Sequence, residues 1–159
     1  MNLCVIPARG GSKRIPRKNI RDFCGKPMIA WSIEAAIKSG LFEHIVVSTD
    51  DDEIAAVATS LGAEVPFRRP AELADDHIAT RPVVNHAIRE AEQRFGRPAH
   101  VCCIYPTAPL IQIDDLQRGL EQLIDSGSDF AFTVTRFAYP IQRALKLTES
   151  GRVAIFQPE

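Results

Sequence analysis

Short, continuous apolar runs alternate along this chain with stretches whose apolar residues recur every three or four positions. The first pattern belongs to strands buried on both faces, the second to helices with one buried side. Residues 3–6 read as the first buried strand. Pro27 opens a helix that carries Ile29, Ile33, Ala36 and Ile37 on one face and stops at Gly40. Residues 44–48 form a second buried strand. Asp50 followed by Glu53 then has the spacing of a reciprocal helix cap, with Ile54, Val57, Ala58 and Leu61 repeating up to Gly62. Residues 63–67 read as a short strand and 68–80 as a long polar loop, a kind of segment that more often serves function than accident. A helix from about 82 to 95 turns Val83, Val84, Ala87, Ile88 and Ala91 inward, and residues 101–105 read as a central strand. Asp114 caps a further helix with Leu116, Leu120, Leu123 and Ile124, closed by Gly127. Residues 130–135 and 153–156 add two more strands. The alternation predicts an α/β fold with a mostly parallel sheet and helices on its faces. The last strand enters only three residues before the sequence stops at Glu159, as expected of a chain lacking a C-terminal part.

The chain has 159 residues, of which 45% are hydrophobic and 25% charged, enough for one globular domain with a real core, read as residues 1–159. A formal net charge of −1 gives no global attraction to nucleic acid or an anionic membrane, so any positive patch is local. The apolar start stops at Pro7, too short for a secretion signal, and no other run approaches a membrane span. Cys4, Cys24, Cys102 and Cys103 show no C-x-x-C spacing, which fits reduced thiols in a cytoplasmic protein. His44, His77, His86 and His100 are scattered without metal-ligand spacing.

The chemistry concentrates directly after the first strand. Gly10 and Gly11 let the backbone approach phosphate oxygens and present N–H groups, with Ser12 beside them. Arg9, Lys13, Arg14, Arg17 and Lys18 place positive charge on the same loop. Ligands of open α/β sheets bind outside the carboxyl ends of strands, where this loop begins. Neither common phosphate motif is present: the later glycine of G-x-G-x-x-G is missing, and Gly25-Lys26 is followed by Pro27 rather than Ser or Thr.

The string from Val5 through Arg14, continued by Lys18-Asn19 and Gly25-Lys26-Pro27, resembles the signature of cytidylyltransferases that activate nonulosonic acids. These are the sialic acid and pseudaminic acid group of CMP-sugar synthetases. The resemblance implies a Rossmann-like, three-layer nucleotidyltransferase fold. It also implies roles: Arg9 and Lys18 neutralise the triphosphate and the charge developing at the α-phosphorus, Lys13 lies along the phosphates, and Asn19 helps hold the nucleotide. Arg69-Pro70-Ala71-Glu72-Leu73, with Asp75-Asp76 and Thr80, matches the loop over the base, so Arg69 and Thr80 carry over as base-discriminating positions. Thr80 also fits as the cap of the following helix.

Tyr105 stands where sialic acid enzymes usually carry Gln, a departure that favours another nonulosonic acid. Cys102-Cys103-Ile104-Tyr105, Phe130-Ala131-Phe132 and the run from Tyr139 to Ala144 look most like the pseudaminic acid branch. Tyr105 is accordingly a candidate sugar-binding residue, with a strand-end core position as the plainer reading. Arg143 is a candidate for the substrate carboxylate, to which a planar guanidinium is suited.

The resemblance implies CTP and a sugar acid as substrates, Mg²⁺ as cofactor and a homodimer for the complete protein. The family's metal-binding aspartates fall in its C-terminal portion and have no match here, so the metal ligands are unassigned. This chain alone is expected to bind CTP and to turn over poorly or not at all. Two other readings stay open: a related sugar nucleotidyltransferase of different specificity, and a truncated, non-catalytic nucleotide-binding domain.

Overall fold

The computed structural model describes residues 1–75, 77–136 and 144–155, which divide into two compact units, residues 1–121 and 122–159. The first unit is built on a three-stranded parallel sheet. Strand β1 (Asn2–Pro7) lies in its centre. A hairpin of two-residue strands, β2 (Asp22–Phe23) and β3 (Lys26–Pro27), leads into helix α1 (Met28–Ser39). Strand β4 (His44–Ser48), helix α2 (Asp52–Ser60), helix α3 (Thr80–Phe95), strand β5 (His100–Cys103) and the first part of helix α4 (Ile113–Ser126) follow. The sheet order is β4-β1-β5, with Val5 opposite both Val46 and Cys103.

Successive residues of β1 point to opposite faces, and both faces are buried. Cys4 and Ile6 pack with Ile45 and Val47 against Ile29, Ile33 and Ala36 of α1 and Ile54 and Ala58 of α2. Leu3 and Val5 pack with Val46 against Ala87 and Ala91 of α3. Helices therefore cover both sides of the sheet in three layers, as the resemblance implies. Burial pushes the thiol of Cys102 up to about 11 and raises that of Cys4, which keeps both protonated. All four cysteines are free.

Several sequence readings need correction within this unit. Among the described residues, 100–103 pair only with β1, so the strand read as central is an edge of the described sheet. Residues 63–67 contribute one parallel bridge, Val46 with Glu64, rather than a strand. Ile37 is exposed beside Gly62 instead of facing the core, because the buried stripe of α1 runs through Ile29, Ile33 and Ala36. The cap of α2 is Asp51, which accepts the Ile54 N–H at 3.0 Å, one residue later than the spacing of Asp50 with Glu53 predicts. Helix α4 starts at Ile113, so Asp114 lies in its first turn, where a negative charge meets the positive helix end.

The second unit contains a two-stranded antiparallel hairpin, β6 (Leu145–Leu147) with β7 (Val153–Ile155). Residues 130–135, read as a strand, have no ladder partner among the described residues and are exposed. Strand β7 pairs with β6 in this hairpin rather than entering the parallel sheet. Phe156, the end of that predicted strand, lies outside the described residues.

Candidate active site

Chain order reverses direction across the sheet at β1, with β4 on one side and β5 on the other. Open α/β sheets form a crevice at such a point, beyond the strand ends. The residues leaving β1, β4 and β5 on that side are Ala8-Arg9, Thr49-Asp50 and Ile104-Tyr105. A cavity of about 230 Å³ opens there, lined among others by Arg9, Ser12, Lys18, Asn19, Arg69, Thr80 and Tyr105. Seven residues picked from three distant stretches of sequence thus share one cavity. A second cavity of about 550 Å³, lined by Asp50, Arg68, Pro70, Ala71 and Ala74, shares Arg69 and Asp75 with the first.

The loop after β1 is held at its base by Asn19, whose Nδ2 donates to the Arg9 carbonyl at 2.9 Å. Asn19 is buried, and its Oδ1 has no hydrogen-bond partner among the described residues. An orphaned buried acceptor on a cavity wall suits a ligand that brings a donor. The Gly10 N–H donates to Asp50 Oδ1 at 3.0 Å. A Cβ at Gly10 would lie 2.6 Å from Asp51 Oδ2, so no side chain fits there. Gly11 has open space around it and is exposed, as is Lys13; neither lines the cavity, nor does Gly10.

Arg17 does not join the cations around the cavity. It bonds Asp51 through Nη1 at 2.5 Å and Nη2 at 2.9 Å and also pairs with Glu53. Paired this way, the Arg17 guanidinium holds the Asp51 carboxyl down at about 2, against the opposing effect of burial.

Arg69 is only 4% exposed. Its Nε donates to Ser48 Oγ at 3.1 Å, Nη2 donates to the Ser48 carbonyl, and its own N–H donates to Thr49 O at 2.8 Å. It forms no ion pair among the described residues. Burial lowers its pKa, Asp50 opposes that shift, and Arg9 adds to it. A buried guanidinium with N–H groups to spare on two cavity walls is a strong recognition element for a planar acceptor or an anion.

Thr80 is the first residue of α3 rather than its cap, since the cap position is Ala79 and no side chain bonds there. Its hydroxyl instead lies 3.1 Å from the Tyr105 hydroxyl. Tyr105 is 57% exposed, so the core reading fails; its carbonyl accepts the buried Ser32 hydroxyl at 2.7 Å, which fixes the turn after β5 to α1. Arg143 lies outside the described residues, with most of the run from Tyr139 to Ala144. Sequence reasoning missed Ser48 and Ser32 as site-shaping residues. Their signal was weak: each is a single polar residue at the end of, or within, an apolar pattern.

Among the described residues no helix is long and apolar enough to cross a membrane, and no group of three His, Cys, Asp or Glu could hold a metal ion. Asp50 and Asp75 are the nearest carboxylates, but Asp50 accepts from Gly10 and Asp75 from the His77 N–H at 2.8 Å.

Residues 3–151 match the cytidylyltransferase family model. The pseudaminic acid cytidylyltransferase of Campylobacter jejuni is 51% identical over 98% of this chain and 67% of its own length. The CMP-N,N'-diacetyllegionaminic acid synthase of Legionella pneumophila is 41% identical over 75% of this chain and 51% of its own. Among solved structures, CMP:2-keto-3-deoxy-manno-octonic acid synthetase complexed with CTP superposes with a TM-score of 0.67 at 25% identity, covering 80% of this chain and 48% of that one. The chain spans about two thirds of the first relative and about half of the solved enzyme.

Proposed function

The chain belongs to the cytidylyltransferase family, and from that premise we propose that it binds CTP and serves the transfer of CMP to a nonulosonic acid, pseudaminic acid first. The carrying observation is the cavity of about 230 Å³ at the reversal point of the sheet, which joins Arg9 and Lys18 to Arg69, Asn19 and Tyr105. In the reaction the anomeric hydroxyl oxygen of the sugar acid attacks the α-phosphorus of CTP. The bond to the β-phosphate oxygen breaks, pyrophosphate leaves with the electron pair, and the hydroxyl proton passes to solvent.

Arg9 and Lys18 act as fixed cations at the phosphates, where charge grows on the leaving group. The loop backbone at Gly10 and Gly11, with Ser12 and Lys13, accompanies the polyphosphate. Arg69, buried and held by Ser48, reads the base together with Thr80. A wrong base leaves its donors unmet, at ~1–3 kcal/mol for each buried unpaired group. Tyr105 lies at the sugar end, and Arg143 is assigned to the sugar carboxylate.

Mg²⁺ enters this reading as the ion that accompanies the triphosphate and neutralises its oxygens. The described carboxylates do not form a protein cage for it, and no step here runs through it. The whole protein is read as a cytoplasmic homodimer acting on CTP and a sugar acid, without nucleic acid or membrane partners.

Calorimetry of the folded chain with CTP, UTP, ATP and GTP in Mg²⁺ tests the reading. CTP selectivity, weakened by Arg9→Ala without loss of fold, is the expected result. Binding of none of the four by the folded chain defeats it. Tyr105→Gln is expected to shift sugar preference away from pseudaminic acid, and an unchanged substrate panel removes Tyr105 from the sugar site.

A further inference from the structure

The two cavity-lining cations of the loop, Arg9 and Lys18, are the immediate neighbours of Gly10 and Arg17. Gly10 and Arg17 are also two points at which hydrogen bonds tie the loop to the acidic start of α2. At the first, the Gly10 N–H donates to Asp50 Oδ1 at 3.0 Å, and the space a Cβ would need is filled by Asp51, at 2.6 Å from Oδ2 and 2.9 Å from Cβ. At the second, Arg17 grips both oxygens of Asp51. Asp51 cannot yield easily, since its Oδ1 also accepts the Ile54 N–H and so belongs to the first turn of α2. Arg17 adopts a φ of 56°, a left-handed backbone that a residue of its kind keeps only when its surroundings impose it.

We propose that Asp51 is a positioning residue for cytidylyl transfer: by standing against Gly10 and gripping Arg17 it closes the loop so that Arg9 and Lys18 face the cavity as a pair. The proposal rests on the reading of this cavity as a CTP site. Its chemistry is indirect, because Asp51 touches neither cavity nor phosphate and acts through two clamped neighbours. A carboxylate this close to a phosphate loop would otherwise weaken anion binding. Spending its charge on Arg17 removes that repulsion and uses it to fix geometry.

Two substitutions separate this role from simple helix capping. Asp51→Asn keeps a good cap while discharging the grip on Arg17. Arg17→Asn removes the guanidinium, and its tolerance of the left-handed backbone offsets part of the stability lost with the ion pairs. In both, the fold is expected to survive with a lowered melting temperature at neutral pH, amide exchange at residues 10–18 to quicken, and CTP affinity to fall about tenfold while CMP affinity changes much less. The double variant is expected to lose no more than either single one, because both remove the same clamp.

A folded variant with unchanged or tighter CTP binding overturns the proposal. So does one that loses CTP and CMP affinity equally, or that loses affinity without faster loop exchange. If Asp51→Asn does not fold, Arg17→Asn alone decides. If the unaltered chain binds no CTP, the functional reading fails, and loop exchange in Arg17→Asn still decides whether the clamp orders the loop.

Discussion

Residues 1–121 and 122–159 contain the same kind of apolar segment and treat it differently. Leu3, Ile6, Val46 and Val47 of the first unit are fully buried, each strand residue covered by a helix on its own face. Phe130, Phe132 and Val134 of the second are more than 80% exposed, and the strand residues Leu145, Leu147, Val153 and Ile155 are more than half exposed. Strand propensity is similar in the two units; a second layer is present over the sheet in the first and absent from these residues in the second. A two-stranded hairpin with both faces open is marginal on its own, whereas a sheet between helices gains roughly 25 cal/mol for each Å² of apolar surface it removes from water. The candidate site follows this division, since every described residue of it lies between positions 7 and 107.

The sharpest way to break the contrast is paired truncation. Ile6→Ala is expected to destabilise the first unit by ~2–5 kcal/mol, as deletion of a buried branched side chain does, read from the midpoint of denaturant unfolding. Next in size is Ser48→Ala, which leaves the buried Arg69 Nε without its acceptor. A stability loss of ~1–3 kcal/mol and a narrower preference for CTP over UTP are expected, measured by unfolding and by calorimetry.

Acid has a smaller effect on the same unit. Asp51 titrates at about 2 when folded against an ordinary 3.8. The stability it contributes is therefore complete above about pH 4 and is lost as pH falls through about 2. Asp51→Asn should flatten that part of the stability curve. Smallest of all, Leu147→Ala is expected to shift unfolding by less than ~0.5 kcal/mol. A loss as large as that of Ile6→Ala would show that Leu147 is covered in solution and erase the contrast.

The sheet and its helices were legible because the short apolar runs at 3–6 and 44–48 are set between clean helical repeats, and Gly40 and Gly62 mark true helix ends. Errors came where spacing alone has no power to choose. In Asp50-Asp51-Asp52 three carboxylates compete for one cap, and the packing of Gly10 against the turn decides for Asp51. The hairpin at Asp22–Pro27 has strands too short to carry a period. Residues 130–135 have a strand's composition without a ladder partner among the described residues.

At the site, the cationic loop could be read from residue types, while the placing of Arg69 and Tyr105 in one cavity with it came from the resemblance. No local pattern could reveal that Arg17, one of five cations in the string, is turned to Asp51. That outcome depends on a helix start more than thirty positions away.

The central place of β1 has a consequence for how the protein is made. Leu3 pairs with Val101, about 100 residues later in the chain, so one edge of the first strand has no partner until β5 leaves the ribosome. At a synthesis rate of about 5–20 residues per second that wait lasts roughly 5–20 s. During it β1 can pair with β4, which emerges about 40 residues after it, but the crevice cannot be complete. The loop that carries Arg9 and Lys18 is thus synthesised well before the cavity it faces can form.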